Sequence, residues 1–109
     1  MTYRIWRRGY DGRYTVRLVP QRVLGNGYAG LHRLTTKGKQ LGIPADEIWL
    51  AAELEEIAPV LALHEAVEYE LRQRGWRYQE SHEEALVAER EAFEGTPLYD
   101  RAIELLDDK

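Results

Sequence analysis

The sequence predicts an α+β domain: an N-terminal antiparallel β-hairpin or small sheet, followed by two to three packed helices. Three observations carry that expectation. β-favouring residues (Tyr, Trp, Thr, Val) flank an Asp11-Gly12 pair near the start, which is a hairpin signature. From Pro59 onward the apolar residues recur at helical spacing, punctuated by Gly75 and Gly95, the glycines that end helices. A length of 109 residues supports one core and not two. Residues 1–109 therefore read as a single domain, with a basic β-rich part over 1–45 and an acidic helical part over 46–109.

Taken in order, Tyr3 to Val19 reads as the hairpin, with Asp11-Gly12 as a two-residue type I′ turn. That turn pairs Ile5 with Leu18 and Arg7 with Val16 on one face. On the other it sets Trp6 opposite Arg17, a cation–π arrangement. From Pro20 to Pro44 the chain is rich in glycine, with Gly25-Asn26-Gly27, Gly30, Gly38 and Gly42. A long irregular loop of this kind suits a lid or binding segment. His32 within it reads as a solvent-exposed loop histidine, with a place facing a site as the alternative.

Ile48-Trp49-Leu50-Ala51 fits either a short strand or the first turns of a helix. The next boundary is clearer. Pro59 suits a first helical turn and Gly75 the left-handed position past the end, so a helix of about four turns is expected from Pro59 to Arg74. A second helix starts between Tyr78 and Ser81 and ends at Glu94, with Ser81 and Glu84 at capping-box spacing. Thr96-Pro97 opens a last amphipathic helix that offers Leu98, Ala102, Ile103, Leu105 and Leu106 to the core.

Charge is divided unevenly. Residues 1–40 carry nine Lys/Arg against one Asp, and the remainder six against eighteen acidic residues, within a net charge of −4. A basic front half can serve a nucleic acid. Packing of a basic sheet beside acidic helices is the expected use here, and nucleic acid is not the expected partner. The chain has no cysteine, which excludes disulfides and thiolate metal ligands. No apolar run follows Arg4, Arg7 and Arg8, and none approaches the roughly 20 residues of a membrane span. A cytoplasmic protein with no membrane partner is expected. Arginine in excess of lysine, with one Asn and one Met, suits a thermophile.

The densest chemistry lies in Leu61-Ala62-Leu63-His64-Glu65-Ala66-Val67-Glu68-Tyr69-Glu70-Leu71. On a helix with His64 at zero, Leu63, Val67, Val60 and Leu71 fall between about 260° and 340°, Glu68 at about 40° and Leu61 at about 60°. His64 and Glu68 are thus flanked by core residues, and Glu65, at about 100°, borders them. An ionised carboxylate enters an apolar seam only when a cation or several donors meet it. On the following helix His82 sits mid-face among Tyr78, Ala85, Leu86, Glu89, Ala92 and Phe93. Packing of the two faces brings His64, Glu68 and His82 together around an open position beside Glu65, the layout of a catalytic zinc site. Glu89 fits a fourth ligand, an acceptor that orients His82, or a partner for an arginine.

These residues carry a resemblance. His64-Glu65-Ala66-Val67-Glu68 resembles the His-Glu-x-x-His helix of zincin metallopeptidases, with Glu68 where the second His stands. With Gly75-Trp76-x-Tyr78-x-x-Ser81-His82-x-x-Ala85 it is similar to small zincin-like proteins of bacteria and phages. The resemblance covers about a quarter of the chain and implies a minimal zincin-like fold. It also implies one divalent metal on His64, Glu68 and His82, with Glu65 as general base and a peptide or protein as substrate. Zinc is the expected ion, and two His with one carboxylate also suit Fe(II), Mn(II) or Ni(II). A non-catalytic metal-binding or degenerate interaction module, of mobile-element origin, is the alternative reading.

Overall fold

A computed structural model describes the backbone of residues 2–7 and 10–107 and the side chains of residues 13–106. The elements are β1 (Thr2–Arg7), β2 (Tyr10–Val19), α1 (Gln21–Leu24), β3 (Gly30–His32), α2 (Thr36–Leu41), β4 (Glu47–Ala51), a 3₁₀ segment Ala52–Ile57, α3 (Ala58–Gln73), α4 (Tyr78–Phe93) and α5 (Pro97–Asp107). This is an α+β fold, as expected.

β2 is the strand that joins two kinds of pairing. Its first half runs antiparallel to β1, from Thr2↔Thr15 to Arg7↔Tyr10. Its second half runs parallel to β4, from Thr15↔Glu47 to Val19↔Ala51. The sheet order is β1-β2-β4-β3, so the sheet is mixed and not purely antiparallel. A parallel neighbour requires a long crossover, and residues 20–46 supply it. The expected loop is therefore a crossover that contains α1, β3 and α2.

The expected hairpin is correct in kind and wrong in register. Asp11 and Gly12 lie inside β2 opposite Trp6 and Ile5, and the strands join through residues 8 and 9, which lie outside the described residues. Extending β2 through Asp11-Gly12 lets every residue of β1 find a partner, which a turn at that pair would forbid. Arg17 consequently has Trp49 as its strand neighbour instead of Trp6. Its Nε meets Glu47 Oε1 at 2.9 Å, so the described pairing of basic and acidic parts is made within the sheet, to β4. The 48–51 segment resolves as a strand.

Alternation on β2 and β4 decides which face is inside. Tyr14, Val16, Ile48 and Leu50 are buried, while Arg13, Thr15 and Arg17 are exposed. The buried face receives α3, the central element of the fold. Ala58, Val60, Leu61, Ala62, Leu63, Ala66, Val67, Tyr69 and Leu71 are all buried, an apolar distribution around most of the helix that requires cover on several sides. Pro59 lies in its first turn. Gly75, at φ 92°, turns the chain after it, and Trp76 N–H returns to Leu71 C=O at 3.0 Å.

α4 covers the other side of α3 through small residues. Ser81, Ala85 and Ala88 are fully buried, so the two backbones approach closely and the longer side chains between them converge. α4 begins at Tyr78, and Ser81 Oγ donates to Arg77 C=O at 2.8 Å, so Ser81 does not cap the helix. α5 contributes buried Ala102, with Leu98, Leu105 and Leu106 against the core, whereas Ile103 is exposed. Arg101 ties α5 to Glu56 of the 3₁₀ segment by Nε and Nη2, at 3.2 and 3.1 Å. Among the described residues no helix is long and apolar enough to cross a membrane.

Ala85→Leu adds three carbons where α4 meets α3, one turn from both His82 and Glu89. Overpacking should lower stability by about 1–3 kcal/mol, a fall of several degrees in thermal unfolding. Ala92→Leu on the exposed face of the same helix should leave unfolding within about 0.5 kcal/mol of the parent.

Candidate metal centre

α3 contributes His64 and Glu68, one turn apart and on one face. α4 contributes His82 and Glu89, and β3 contributes His32. His64 Nε2 lies 3.3 Å from Glu68 Oε2, and His82 Nδ1 lies 3.3 Å from the same oxygen. The His64 and His82 rings meet edge to face at 4.8 Å between centroids. Ligand atoms on a tetrahedral ion with bonds of about 2.0–2.1 Å are separated by roughly 3.3–3.4 Å. Two of the three edges therefore already have the spacing of a metal tetrahedron, and the donor types are those zinc takes.

His64 Nδ1 contacts Glu89 Oε1 at 3.1 Å. A carboxylate on the far nitrogen holds the ring with Nε2 toward Glu68 Oε2, the arrangement that orients metal-binding histidines. Glu89 thus orients His64 and not His82, because the pitch of α4 carries it over the α3 ring. His82 is instead stacked on Tyr78, at 5.6 Å and 16° between planes.

Glu65 lies at the edge of the cluster, with Oε2 3.9 Å from His64 Nε2. Burial pushes its carboxyl pKa up, against the lowering effect of His64 and His32 nearby. Glu68 is also buried, yet hydrogen bonds with His32 and His64 hold it well below the usual carboxylate range. Burial alone would lower the His64 pKa, but hydrogen bonds with Glu68 and Glu89 raise it to about 10. Among the described residues no Lys or Arg forms an ion pair with Glu65, Glu68 or Glu89. Among the described residues, three carboxylates, each less than a tenth exposed, have imidazoles as their ion-pair partners.

His32 is the residue sequence reasoning missed. It is fully buried, not an exposed loop residue, and its Nε2 contacts Glu68 Oε1 at 3.0 Å. The local signal was weak, because β3 is three residues long and shows no periodicity. A better pointer was Thr35-x-x-Gly38. Thr35 Oγ1 accepts from Gly38 N–H at 2.9 Å and donates to His32 C=O at 2.8 Å. A Cβ on Gly38 would lie 1.9 Å from that carbonyl oxygen, so only glycine allows α2 to clamp β3.

The cluster opens into a cleft of about 770 Å³, walled by residues 27–39 on one side and by α3 and α4 on the other. Tyr28, Gly30 and Lys37 line it together with His64, Glu65 and His82. No family model, curated protein or solved structure matches the chain. The molecule is therefore defined here by its fold and its cluster: an α+β domain with groups placed to bind a metal ion.

The charge arrangement has a pH signature in the metal-free protein. With His64 raised from 6.5 to about 10 in the folded state, its contribution is fully present below pH 6.5 and lost as pH rises through about 10. Denaturant unfolding of the parent and His64→Gln should show a parent advantage near pH 6. That advantage should shrink by on the order of 1 kcal/mol or more by pH 10. A difference independent of pH would mean that no proton is shared between the ring and its carboxylates.

Proposed function

We propose that the protein is a metal-dependent hydrolase acting on peptide bonds, with one divalent ion on His64, Glu68 and His82. The observation that carries the reading is the set of two imidazole nitrogens around Glu68 Oε2 at tetrahedral spacing, beside a separate buried carboxylate. A divalent ion held there supplies Lewis acidity and an activated water near neutral pH. Zinc fits the donors. A carboxylate in place of a third imidazole adds negative charge and makes Fe(II), Mn(II) or Ni(II) suitable too.

Glu65 serves as general base. It takes the proton of the attacking water and returns it to the leaving amine. Its raised pKa suits a group that must accept a proton and release it within one turnover. His64 and Glu68 hold their positions through Glu89 and His32, so the base can act without disturbing the ligands.

The edge strand supports a peptide as substrate. Ala29 C=O accepts from Ala51 N–H at 3.0 Å. By the alternation of an antiparallel ladder the N–H and C=O of Gly30 then point away from β4. Gly30 lines the cleft and packs so closely on α3 that a Cβ there would lie 3.1 Å from Glu65 Cγ. An extended peptide that pairs with this edge passes the ion position and the base. The zincin-like resemblance of His64-Glu65-x-x-Glu68 agrees with this assignment.

Glu65→Gln keeps size and polarity but accepts no proton. Metal content and unfolding should stay near the parent while peptide hydrolysis, screened with Zn, Mn, Fe and Ni, falls by about 10² or more. Glu68→Gln should lower metal affinity instead. Activity that survives Glu65→Gln would sink the general-base assignment. Metal binding with no hydrolysis of any peptide tested would favour the non-catalytic module.

A further inference from the structure

The two oxygens of Glu68 face different partners. Oε2 lies against His64 Nε2 and His82 Nδ1, both at 3.3 Å. Oε1 lies 3.0 Å from His32 Nε2. His32, Glu65 and Glu68 also form a buried group with candidate ligand atoms within 4.8 Å of one another. Two arrangements fit these distances: a second ion on His32 and Glu65 with Glu68 as a bridge, or a hydrogen bond from His32 to a ligand of the first ion.

The backbone decides between them. Leu34 N–H donates to His32 Nδ1 at 3.1 Å. A backbone amide can only donate, so Nδ1 keeps its lone pair and the ring proton resides on Nε2. A protonated nitrogen has no lone pair for a metal, but it is a donor to Glu68 Oε1. Rotating the ring by half a turn would set carbon against both partners. The ring is further held by the edge of Tyr69, at 5.4 Å and 61°, and its backbone by the Thr35-Gly38 clamp.

We propose that His32 is a positioning residue of the metal centre: it donates Nε2–H to Glu68 Oε1, leaves Oε2 as the single ligating oxygen, and binds no second ion. The inference rests on the one-ion reading above. A carboxylate otherwise swings between one-oxygen and two-oxygen binding. With Oε1 occupied by His32, Glu68 would present one oxygen to an ion held with His64 and His82.

The test uses the full chain and zinc as the probe, with metal content, zinc affinity and histidine ¹⁵N spectra read for the parent, His32→Phe and His32→Gln. The parent should bind one zinc per chain. Its His32 should show protonated Nε2 and unprotonated Nδ1 both before and after zinc, while nitrogens of His64 and His82 shift. His32→Phe should lose about 10–100-fold in zinc affinity, and His32→Gln, whose amide N–H can reach Oε1, should recover most of it. Two zinc ions per parent chain, or a His32 Nε2 that shifts as a ligated nitrogen, would overturn the proposal in favour of a bridged pair. Unchanged affinity in a folded His32→Phe would also overturn it while leaving the one-ion centre standing. A parent that binds no zinc would remove both. Should His32→Phe fail to fold, the parent spectra and the glutamine variant still decide.

Discussion

Three carboxylates withdrawn from water in one small volume are the constraint on which the rest of this structure depends. Glu65, Glu68 and Glu89 are buried without an Arg or Lys partner among the described residues. Desolvating each as an anion costs several kcal/mol unless positive charge answers it. The imidazoles of His32, His64 and His82 are the available partners, and they can answer in two ways. In the metal-free protein the protonated His64 ring donates Nε2–H to Glu68 and Nδ1–H to Glu89, which is why that ring's pKa is raised to about 10. A divalent ion would replace the Nε2 proton with greater charge at the same position. Protonation and metal binding then compete for the same lone pairs.

The scaffold meets this constraint by closeness and not by size. Ser81, Ala85 and Ala88 let α4 lie near α3, and that approach brings His82 to the Glu68 oxygen and Glu89 to the His64 ring. On the other side two glycines do comparable work. Gly30 lets β3 press on Glu65, and Gly38 lets α2 clamp the His32 carbonyl. Each titratable group of the cluster is set by a neighbour small enough to permit contact.

The fold by itself does not assign an activity. The bond pattern around Glu68 narrows the chemistry. One oxygen meets the His32 ring of β3 and the other faces two nitrogens, while Glu65, 3.9 Å from His64 Nε2, borders the cleft.

The sequence by itself determined the α+β class, the spans of α3 and α4 to within a residue or two, the start of α5, and the meeting of His64, Glu68 and His82. All of these follow from helical periodicity and from Pro and Gly punctuation, which are local. Only the tertiary structure decided the hairpin register, the parallel seating of β2 on β4, the partner of Glu89 and the role of His32. Asp11-Gly12 is a turn signal on local grounds, yet both residues are paired within the sheet, opposite Trp6 and Ile5. His32 lies in a three-residue strand whose place exists only because the crossover returns beside β4. Short-range patterns report which face of an element is apolar. They do not report which oxygen of Glu68 a distant ring will meet, because that distance is set by the packing of β3, α2 and α3 together.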